Sequence, residues 1–386
     1  MSSILGRLSP QSFLRNHWQK RPLLIRQAFP GFEGILDRDA LLDLTTRAEV
    51  TSRLVIEHRI ASSGARRRSQ KNRWERHDGP FASLDPSMLP ANRWTVLVHG
   101  IESLVTGGWE ILKEFSFIPA ARVDDLMVSY ATDGGSVGPH EDRYDVFLLQ
   151  GPGRRRWQVS SRGDHQFDER AAIKVLSRFE PEEEWLLEPG DMLYLPPGVA
   201  HLGVAEGPCF TYSIGFLAPS HVDLVQSFLG YLSATLPAEI DPERLYEDPD
   251  LHFEKNRLAV SDAMVRQVAS ILNVVRWDKQ RVEDFLGCFL TRPKPSVIFT
   301  PPVRPLSPKA FDRRLRSRGR LTLALPTRGL VREDRIFLNG EAHHTQRRVS
   351  RIFQALVDTR SISLPVSADA HVQELLYSWY RAGYLS

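Results

Sequence analysis

Seven short apolar segments follow one another closely between residues 92 and 217, separated by glycine, proline and aspartate. Closely spaced segments of this length without helices between them are typical of an antiparallel barrel or a double-sheet jelly roll. One further segment, IESLVTGGWEILKEF, has helical spacing, and we expect it outside the barrel. The predicted strands are RWTVLVHG, DDLMVSYA, YDVFLLQG, RRRWQVS, EEWLLEPG, DMLYLPPG and FTYSIGFLA.

The chain before and after this β-rich region has a different pattern. SPQSFLRNHW near the start predicts a helix that Ser9 caps and Pro10 begins, and RPLLIRQAF predicts a buried strand. After Pro219 the apolar residues recur at helical spacing as far as residue 291. A proline-rich segment follows, and then a helix, a hairpin with a tight turn at Asn339-Gly340, and further helices.

This order of patterns predicts an α+β protein of three domains. A chain of 386 residues is too long for one compact core. We place the barrel domain at 1–218, a helical domain at 219–292 and a third domain at 293–386. Helix, hairpin and helix in succession resemble a winged-helix unit.

The composition excludes several classes of protein. A net charge of +3 is too small to indicate a nucleic-acid-binding protein by itself. Cys209 and Cys288 are the only cysteines, so neither a disulfide framework nor a cysteine-based zinc site is expected. The N-terminus lacks the apolar core of a signal peptide, and no run is long enough to span a membrane. We therefore expect a cytoplasmic protein. Residues 61–79 are basic and contain few apolar residues, so we expect them to form an exposed loop.

His140 and Asp142 in GPHEDRYDVFLLQG are candidate metal ligands. They lie two residues apart where a strand is predicted to start, so both side chains can point to one face of the sheet. His201 follows the Pro-Pro-Gly turn of GDMLYLPPGVAHLGV and can supply a third ligand. Two histidines and one carboxylate form the facial arrangement of non-heme Fe(II) enzymes, which leaves three coordination positions open.

A lone His-x-Asp pair is weak evidence, since such pairs are usually surface polarity at the end of a strand. The combination with the β-rich surroundings and His201 favours a metal site. Zinc can use the same ligands, but a β-rich pocket with one carboxylate favours iron. The remaining histidines are expected at the surface or in packing: His165, His221, His252, His343 and His344.

Three consecutive arginines, Arg154, Arg155 and Arg156, begin the strand after the predicted metal ligands. Alternation along a strand directs Arg155 to one face and its two neighbours to the other. An inward guanidinium near the metal can bind a dicarboxylate through two parallel hydrogen bonds, and 2-oxoglutarate is the obvious candidate. We expect Arg154 and Arg156 at the surface.

Four segments together resemble the bacterial ribosomal oxygenase family: HWQKRPLLIRQAFPGF, DDLMVSYATDGGSVGPHEDRYDVFLLQGPGRRRW, LEPGDMLYLPPGVAHLG and YSIGFLAP. The resemblance is strong between residues 10 and 220 and concerns mainly the order of domains after that. It implies a double-stranded β-helix of the cupin and JmjC type, a helical dimerisation domain and a winged-helix domain. The family consists of 2-oxoglutarate-dependent enzymes that hydroxylate an arginine of a large-subunit ribosomal protein.

The resemblance also implies roles for individual residues. His140, Asp142 and His201 would bind Fe(II), and Arg155 would bind the carboxylate of 2-oxoglutarate, with O₂ as the second cosubstrate. Where relatives often have a serine that helps to hold 2-oxoglutarate, this chain has Ala131. Ser129 or Thr211 could compensate.

Two partners are expected. An acidic segment with Asp133 and Glu141 would suit a cationic arginine of a ribosomal protein, although solubility explains such acidity equally well. The helices between 220 and 290 contain many large apolar residues that no obvious third layer covers, which favours a homodimer. These include Val222, Leu224, Val225, Phe228, Leu229, Tyr231 and Leu232.

Two other functions remain open at this point. A JmjC lysine demethylase would use the same iron chemistry, so the three ligands do not separate it from a hydroxylase. A regulator without catalysis could bind nucleic acid through the winged-helix unit, using RRLRSRGR at 313–320 or Arg347, Arg348 and Arg351.

Overall fold

The computed structural model describes most of the chain, including the whole β-rich region except three residues. The described residues are 4–58, 74–162, 166–235, 241, 243–249, 251–253, 256, 258–273, 275–364 and 370–385. The exposed basic loop predicted between 61 and 79 therefore lies largely outside the described residues. Within them, no helix is both long enough and apolar enough to cross a membrane.

Two antiparallel sheets face each other and form the barrel. The larger sheet has the strand order β1-β10-β7-β12-β5-β4-β2-β3, and the smaller has the order β6-β11-β8-β9. The strands are β1 (Leu23–Ile25), β2 (Ser52–Glu57), β3 (Trp74–Asp78), β4 (Trp94–Val98), β5 (Val123–Ala131), β6 (His140–Glu141), β7 (Val146–Gln150), β8 (Arg154–Ser160), β9 (Glu183–Leu187), β10 (Met192–Leu195), β11 (Ala200–Glu206) and β12 (Cys209–Phe216).

The central strands of the larger sheet are buried on both faces, which explains their continuous apolar sequences. On β7, Phe147 and Leu149 pack into the core on the outer side of the sheet. Val146 and Leu148 point between the two sheets and pack with Trp157 of β8. Alternation along the strand thus divides one apolar run between two cores.

Three helices contribute to the core on the outer face of the larger sheet: α1 (Pro10–Asn16), α2 (Arg38–Leu44) and α3 (Thr106–Lys113). The backbone N–H of Ser12 donates to the Ser9 side chain, which caps α1 as predicted, and Pro10 begins the helix. Phe13 packs on Tyr194 and Phe147 at ring-centroid distances of 4.9 and 5.5 Å. These aromatic contacts hold the N-terminal helix against the barrel.

After the barrel, the chain forms α4 (His221–Thr235), α5 (Asp262–Leu272) and α6 (Lys279–Thr291). Phe228 of α4 packs on Phe285 of α6 and on Trp277, at ring-centroid distances of 5.1 and 5.5 Å. Asp278 caps α6 by accepting a hydrogen bond from the backbone N–H of Arg281.

The C-terminal part is a compact unit of short strands and helices with its own apolar core. Asn339 and Gly340, both at positive φ, make the tight turn between β15 and β16 as predicted. Its elements are α7 (Pro308–Arg316), β13 (Gly319–Thr322), β14 (Gly329–Arg332), β15 (Arg335–Leu338), β16 (Glu341–His344), α8 (Arg347–Thr359), β17 (Ser361–Leu364) and α9 (Ala370–Arg381).

This unit is joined to the barrel by hydrogen bonds. The Arg328 guanidinium donates to the carbonyl oxygens of Val123 and Asp124, at 2.6 and 2.8 Å. The Trp109 indole donates to the carbonyl of Leu325, and the Arg360 guanidinium lies 4.2 Å from the centroid of the same ring. The barrel and the C-terminal unit therefore share a polar junction.

Candidate active site

His140 and His201 lie directly opposite each other in the antiparallel pair of β6 and β11. Opposite residues in such a pair point to the same face, and the two ring centroids are 4.2 Å apart. His201 is almost completely buried, whereas His140 is partly exposed. The register of two short strands therefore brings together histidines that are far apart in the sequence.

Asp142 is the third member of the cluster with His140 and His201, but it lies in the segment after β6 and not on the strand itself. The prediction put His140 and Asp142 on one strand, whereas β6 ends at Glu141 and Asp142 lies beyond it. The backbone N–H of Gly198 donates to the Asp142 carbonyl at 2.8 Å and holds this segment. The carboxylate lies 3.8 Å from Nε2 of His201.

The three side chains form the only cluster of potential metal ligands among the described residues, and their ligand atoms all lie within 4.8 Å of one another. Nδ1 of His140 lies 3.0 Å from the Gly138 carbonyl, and Nδ1 of His201 lies 3.0 Å from the Val199 carbonyl. A protonated Nδ1 that donates to a carbonyl leaves Nε2 free to bind a metal.

Burial and the neighbouring charge of His140 lower the pKa of His201 to about 4, although Asp142 acts in the opposite direction. His201 is therefore neutral at physiological pH, which is the state that binds a metal ion.

Arg155 is inside the barrel, as alternation along β8 predicts, with only 5% of its surface exposed. Neither its Nε nor its Nη2 has a hydrogen-bond partner in the described part of the chain. Arg154 is exposed, and Arg156 forms ion pairs with Glu184 and Glu206 on the outer face. An arginine with unsatisfied buried donors has the chemistry of a carboxylate-binding residue.

Other polar groups inside the barrel were not all predicted. The Trp157 indole N–H, the Thr211 hydroxyl and the side-chain oxygen of Gln150 are buried and have no hydrogen-bond partner among the described residues. Alternation along β8 could have identified Trp157, because Arg155 and Trp157 share a face. Alternation along β7 could likewise have identified Gln150, because it shares a face with Val146 and Leu148.

Ser129 and Ala131 both belong to β5 and are buried. Ser129 pairs with Thr211 on β12, and Ala131 pairs with Cys209 on the same strand. Ala131 packs with Ala205 and Cys209 in a small apolar cluster. Ser129 and Thr211 are therefore neighbours on the sheet that faces Arg155.

Acidic groups surround Tyr144, which follows Asp142 closely and is partly exposed. Burial raises its pKa, and the negative charges of Asp142, Asp125 and Asp124 raise it further. Asp133 is exposed, and its carboxylate accepts a hydrogen bond from the backbone N–H of Gly207 at 2.8 Å. Asp124 and Asp125 are themselves paired with Lys294, at 3.1 and 3.3 Å, and Asp133 lies at the opposite end of β11 from His201.

The arginines suggested for nucleic-acid binding lie in two places. Arg347 and Arg351 of α8 line a cavity that Trp109 and Phe115 of the barrel domain close from the other side. In α7, Arg316 pairs with Asp312 one turn earlier. Both α8 arginines are nevertheless exposed to solvent, with 79% of the Arg347 side-chain surface accessible, so the cavity is open and nucleic-acid binding through α8 stays a prediction.

The histidines that were not assigned a function lie outside the cluster. His221 begins α4 and is exposed, and His252 is exposed as well. His343 and His344 belong to β16 in the C-terminal unit. His165 lies outside the described residues.

Comparison with known protein families gives two matches that together cover most of the chain. A model of the JmjC domain matches residues 110–224. A model of the ROXA-like winged helix matches residues 274–386. The second match begins inside the helical domain that the sequence placed at 219–292, and the boundaries of the three domains stay a prediction.

Known proteins resemble the chain over most of its length. The ribosomal protein uL16 3-hydroxylase of Escherichia coli (strain K12) is 31% identical over 332 residues, which are 85% of this chain and 84% of that protein. An X-ray structure of E. coli YcfD has a TM-score of 0.79 and 28% identity, covering 98% of each chain. The structure of this ribosomal oxygenase in complex with cobalt and 2-oxoglutarate has a TM-score of 0.78 and 29% identity, again covering 98% of each chain.

These likenesses confirm the predicted fold class, with its JmjC-type barrel and winged-helix unit, and the predicted class of enzyme. The chain therefore belongs to the JmjC-type ribosomal oxygenase family.

Proposed function

We propose that the protein is an Fe(II)- and 2-oxoglutarate-dependent oxygenase that hydroxylates an arginine side chain of a large-subunit ribosomal protein. The main observation is that His140, Asp142 and His201 converge in the same barrel as Arg155, a buried arginine with unsatisfied donors. The hydroxylase named for ribosomal protein uL16 and the cobalt and 2-oxoglutarate complex of YcfD support this assignment.

The donor set fits Fe(II). Two imidazole nitrogens and one carboxylate are the ligands of non-heme Fe(II) oxygenases. Bound iron would supply the oxidation that converts 2-oxoglutarate and O₂ into succinate and CO₂ and inserts one oxygen atom into a C–H bond of the substrate. The chain itself orients Nε2 of His140 and His201, presents the Asp142 carboxylate and excludes bulk water from His201.

Arg155 would bind the carboxylate of 2-oxoglutarate that lies farther from the metal. Burying an unpaired guanidinium is costly, and a carboxylate partner offsets that cost. The same carboxylate could accept hydrogen bonds from Ser129, as the sequence suggested, or from Thr211.

A cationic substrate side chain fits the surroundings of the metal ligands. The charges of Asp142, Asp125 and Asp124 all act on Tyr144, although Lys294 pairs with Asp124 and Asp125. A guanidinium entering from solvent would gain favourable interactions with these carboxylates, whereas an acidic side chain would be repelled. This charge distribution supports arginine as the modified residue, although a lysine would gain similar interactions.

The helical part supports the proposed homodimer. Val222, Val225 and Leu229 on one face of α4 are exposed, and Met264, Val265, Val268, Ile271 and Leu272 extend the apolar surface along α5. Phe228 and Leu232, which the sequence grouped with them, instead pack inside the chain. A twofold pairing of these helices would cover the exposed face on both copies.

The substrate can be tested directly. Ribosomal proteins from cells with and without this gene are compared by mass spectrometry, and we expect one arginine to gain the mass of a single oxygen atom. A peptide containing that arginine should stimulate 2-oxoglutarate consumption by the purified protein with Fe(II). Loss of methyl groups from a lysine, with no oxygen added to any ribosomal protein, would contradict hydroxylation and support a demethylase.

A further inference from the structure

An open cavity of about 740 Å³ lies between α3 of the barrel domain and α8 of the C-terminal unit, and the proposed reaction does not use it. Trp109, Leu112 and Phe115 line it on one side, and Arg347 and Arg351 line it on the other. Pockets for small organic molecules usually measure about 300–1,000 Å³ and often lie between domains. The size and place of this α3–α8 cavity are therefore those of a ligand site.

Much of the cavity wall is apolar and is not fully covered by the chain itself. Leu290 of α6 and Leu330 of β14 line the cavity, are partly exposed, and belong to neither of the large apolar cores on its two sides. Val331 and Val357 line it too and are only partly buried. Covering such side chains is favourable in proportion to the apolar area removed from water. The wall therefore favours a ligand with an apolar body.

The ionisable side chains of the wall are mostly cationic. Arg351 is exposed and forms no ion pair with any residue that the structure describes. Arg347 and Lys113 do have partners, Glu333 at 3.6 Å and Glu110 at 2.9 Å. A carboxylate or phosphate that entered the cavity would meet, in Arg351, a guanidinium that no carboxylate has yet neutralised. The cationic residues of the wall are Lys113, Arg328, Arg347, Arg351 and Arg360, and the acidic residues are Glu333 and Asp358.

Arg328 and Arg360, two of these cations, are hydrogen-bonded to neutral groups. Arg328 donates to two carbonyl oxygens of β5, and Arg360 donates to three carbonyl oxygens between residues 324 and 327. Carbonyl oxygens satisfy donors but do not cancel a positive charge. Only 9% of the Arg360 surface is exposed, and its Nε has no hydrogen-bond partner among the described residues. The wall as a whole thus carries more positive than negative charge, which favours an anionic ligand over a cationic one.

Spacing along α8 indicates where the anionic group would lie. Arg347 and Arg351 are one turn apart and share a face of the helix, whereas Asp358 lies two turns beyond Arg351, about 10 Å along the axis. The side chain of Arg347 is 79% accessible, so the two arginines lie at the end of the cavity that is open to solvent. An anionic group is therefore favoured beside Arg351, at the open end and away from Asp358, with the apolar body farther in.

We propose that the α3–α8 cavity binds an amphipathic organic anion, with its carboxylate or phosphate beside Arg351 and its aliphatic chain against Leu290 and Leu330. The inference does not depend on the oxygenase activity, because the residues that line this cavity are separate from the cluster of potential metal ligands. A bound chain would contact the barrel domain and the C-terminal unit at once.

The test measures binding of decanoate to the full-length protein by isothermal titration calorimetry. Decylammonium has a chain of the same length and the opposite charge, acetate has the carboxylate without the chain, and both should bind much more weakly. Arg351→Gln should raise Kd for decanoate about tenfold, the lower end of the range for losing a hydrogen bond to a charged group. Arg313→Gln removes an exposed arginine of α7 that does not line the cavity and should leave Kd unchanged. Decyl phosphate, tested in parallel, shows which head group the site prefers.

A second pair of variants locates the bound ligand. Gln354 of α8 is exposed and lines the cavity, whereas Ala355 is exposed on a part of the helix that does not line it. Gln354→Trp should block decanoate binding, and Ala355→Trp should leave it unchanged. Val225→Glu should also leave it unchanged, because a ligand that this variant displaces would lie on the exposed face of α4 and not in the cavity. If a tryptophan variant does not fold, Arg351→Gln and Arg313→Gln decide.

Three results would overturn the proposal. They are the absence of decanoate binding to the wild type, equal binding of decylammonium, and equal effects of Gln354→Trp and Ala355→Trp. If the wild type binds a single-stranded oligonucleotide through Arg351 and does not bind decanoate, α8 is a nucleic-acid surface instead.

Discussion

The barrel interior and the helical part between residues 221 and 291 depart from ordinary packing in opposite ways. The barrel encloses Arg155 and Thr211, both buried and both with unsatisfied donors among the described residues. The helical part exposes Val222, Val225 and Leu272, with 61%, 58% and 64% of their surfaces accessible. One region buries polar groups that water usually solvates, and the other exposes apolar groups that a core usually covers.

Each departure has a cost, and the kind of cost indicates what each region binds. Unsatisfied buried donors are stabilised by a polar ligand with matching acceptors. Exposed aliphatic side chains are stabilised by another apolar surface, at about 1.5–3 kcal/mol for each large side chain covered. We therefore infer a small dicarboxylate inside the barrel and a second copy of the chain against the helices.

The largest effect is expected from removing a metal ligand. His201→Ala or Asp142→Ala should lower 2-oxoglutarate turnover by more than about a hundredfold, because even residues that only support metal ligands cost 10–100-fold. Turnover is measured with Fe(II) and a substrate peptide, and circular dichroism should show an intact fold. His221→Ala, at the exposed start of α4, is the control and should retain full activity. Substantial turnover without His201 would remove the three-ligand site from this interpretation.

The second-largest effect is expected from removing Arg155, the buried arginine of the barrel. Arg155→Ala should raise KM for 2-oxoglutarate more than a hundredfold, because removing one partner of a buried charge pair costs about 3–5 kcal/mol. Arg154→Ala removes an exposed arginine from the adjacent position and should change KM less than twofold. Similar, small effects at both positions would mean that Arg155 does not bind the cosubstrate.

The proposed dimer is tested by placing glutamates on the exposed apolar face of α4. Val225→Glu combined with Leu229→Glu should convert a dimer into a monomer without unfolding it, because both side chains are exposed in the single chain. Light scattering measures the mass, which is 43.9 kDa for one chain. Phe228→Glu is the contrasting variant and should unfold the helices, because Phe228 packs on Phe285. A wild-type mass of one chain at micromolar concentration would contradict the dimer.

A third buried polar group, the carboxyl group of Glu102, lies near the junction between the barrel and the C-terminal unit. Burial, followed by the charge of Asp125, raises the pKa of Glu102 to about 7, although hydrogen bonding from Leu126 and the charge of Arg328 act in the opposite direction. The folded state thus holds a proton that the unfolded state releases near pH 4.5. The contribution of Glu102 to stability is therefore greatest below pH 4.5 and is lost as pH rises through 7.

Glu102→Gln removes this charge and leaves an oxygen that can accept the hydrogen bond from Leu126. The variant should be more stable than wild type by up to about 3 kcal/mol at pH 8, from the size of the pKa shift, and the difference should disappear near pH 4.5. Urea unfolding at several pH values measures it. A constant difference across this range would mean that Glu102 does not carry the proton.

Alternation along the strands made several parts of the site predictable. Arg155 lies inside the barrel and its neighbour Arg154 outside it because β8 is regular and is paired on both sides. The turn at Asn339-Gly340 and the cap at Ser9 were predictable for a similar reason, since each depends on a few adjacent residues. Local rules apply wherever the backbone continues regularly.

Strand alternation correctly predicted that Asp142 lies near His140, but it did so by assuming that both residues belong to one strand. Alternation placed its carboxylate on the face of His140, but β6 ends at Glu141 and the segment containing Asp142 is held by Gly198 from another part of the chain. Helical periodicity likewise identified α4 as apolar without separating Phe228, which packs inside the chain, from Val225, which does not. A helix that is apolar on more than one side does not reveal which side its own chain covers.

The sequence by itself thus indicated most strands of the barrel, the inward direction of Arg155, the order of the units and the two histidines and the aspartate as candidate ligands. These depend on side-chain chemistry and on periodicity within one element. The sequence did not indicate β11, the strand that carries His201. Only the tertiary structure decided that His140 faces His201, that Thr211 lies between Arg155 and the proposed metal ligands, and that Arg347 and Arg351 line an open cavity beside the barrel. Those relations depend on strand register and on the packing of units distant in sequence, and no local pattern encodes the distance between residues that meet only after folding.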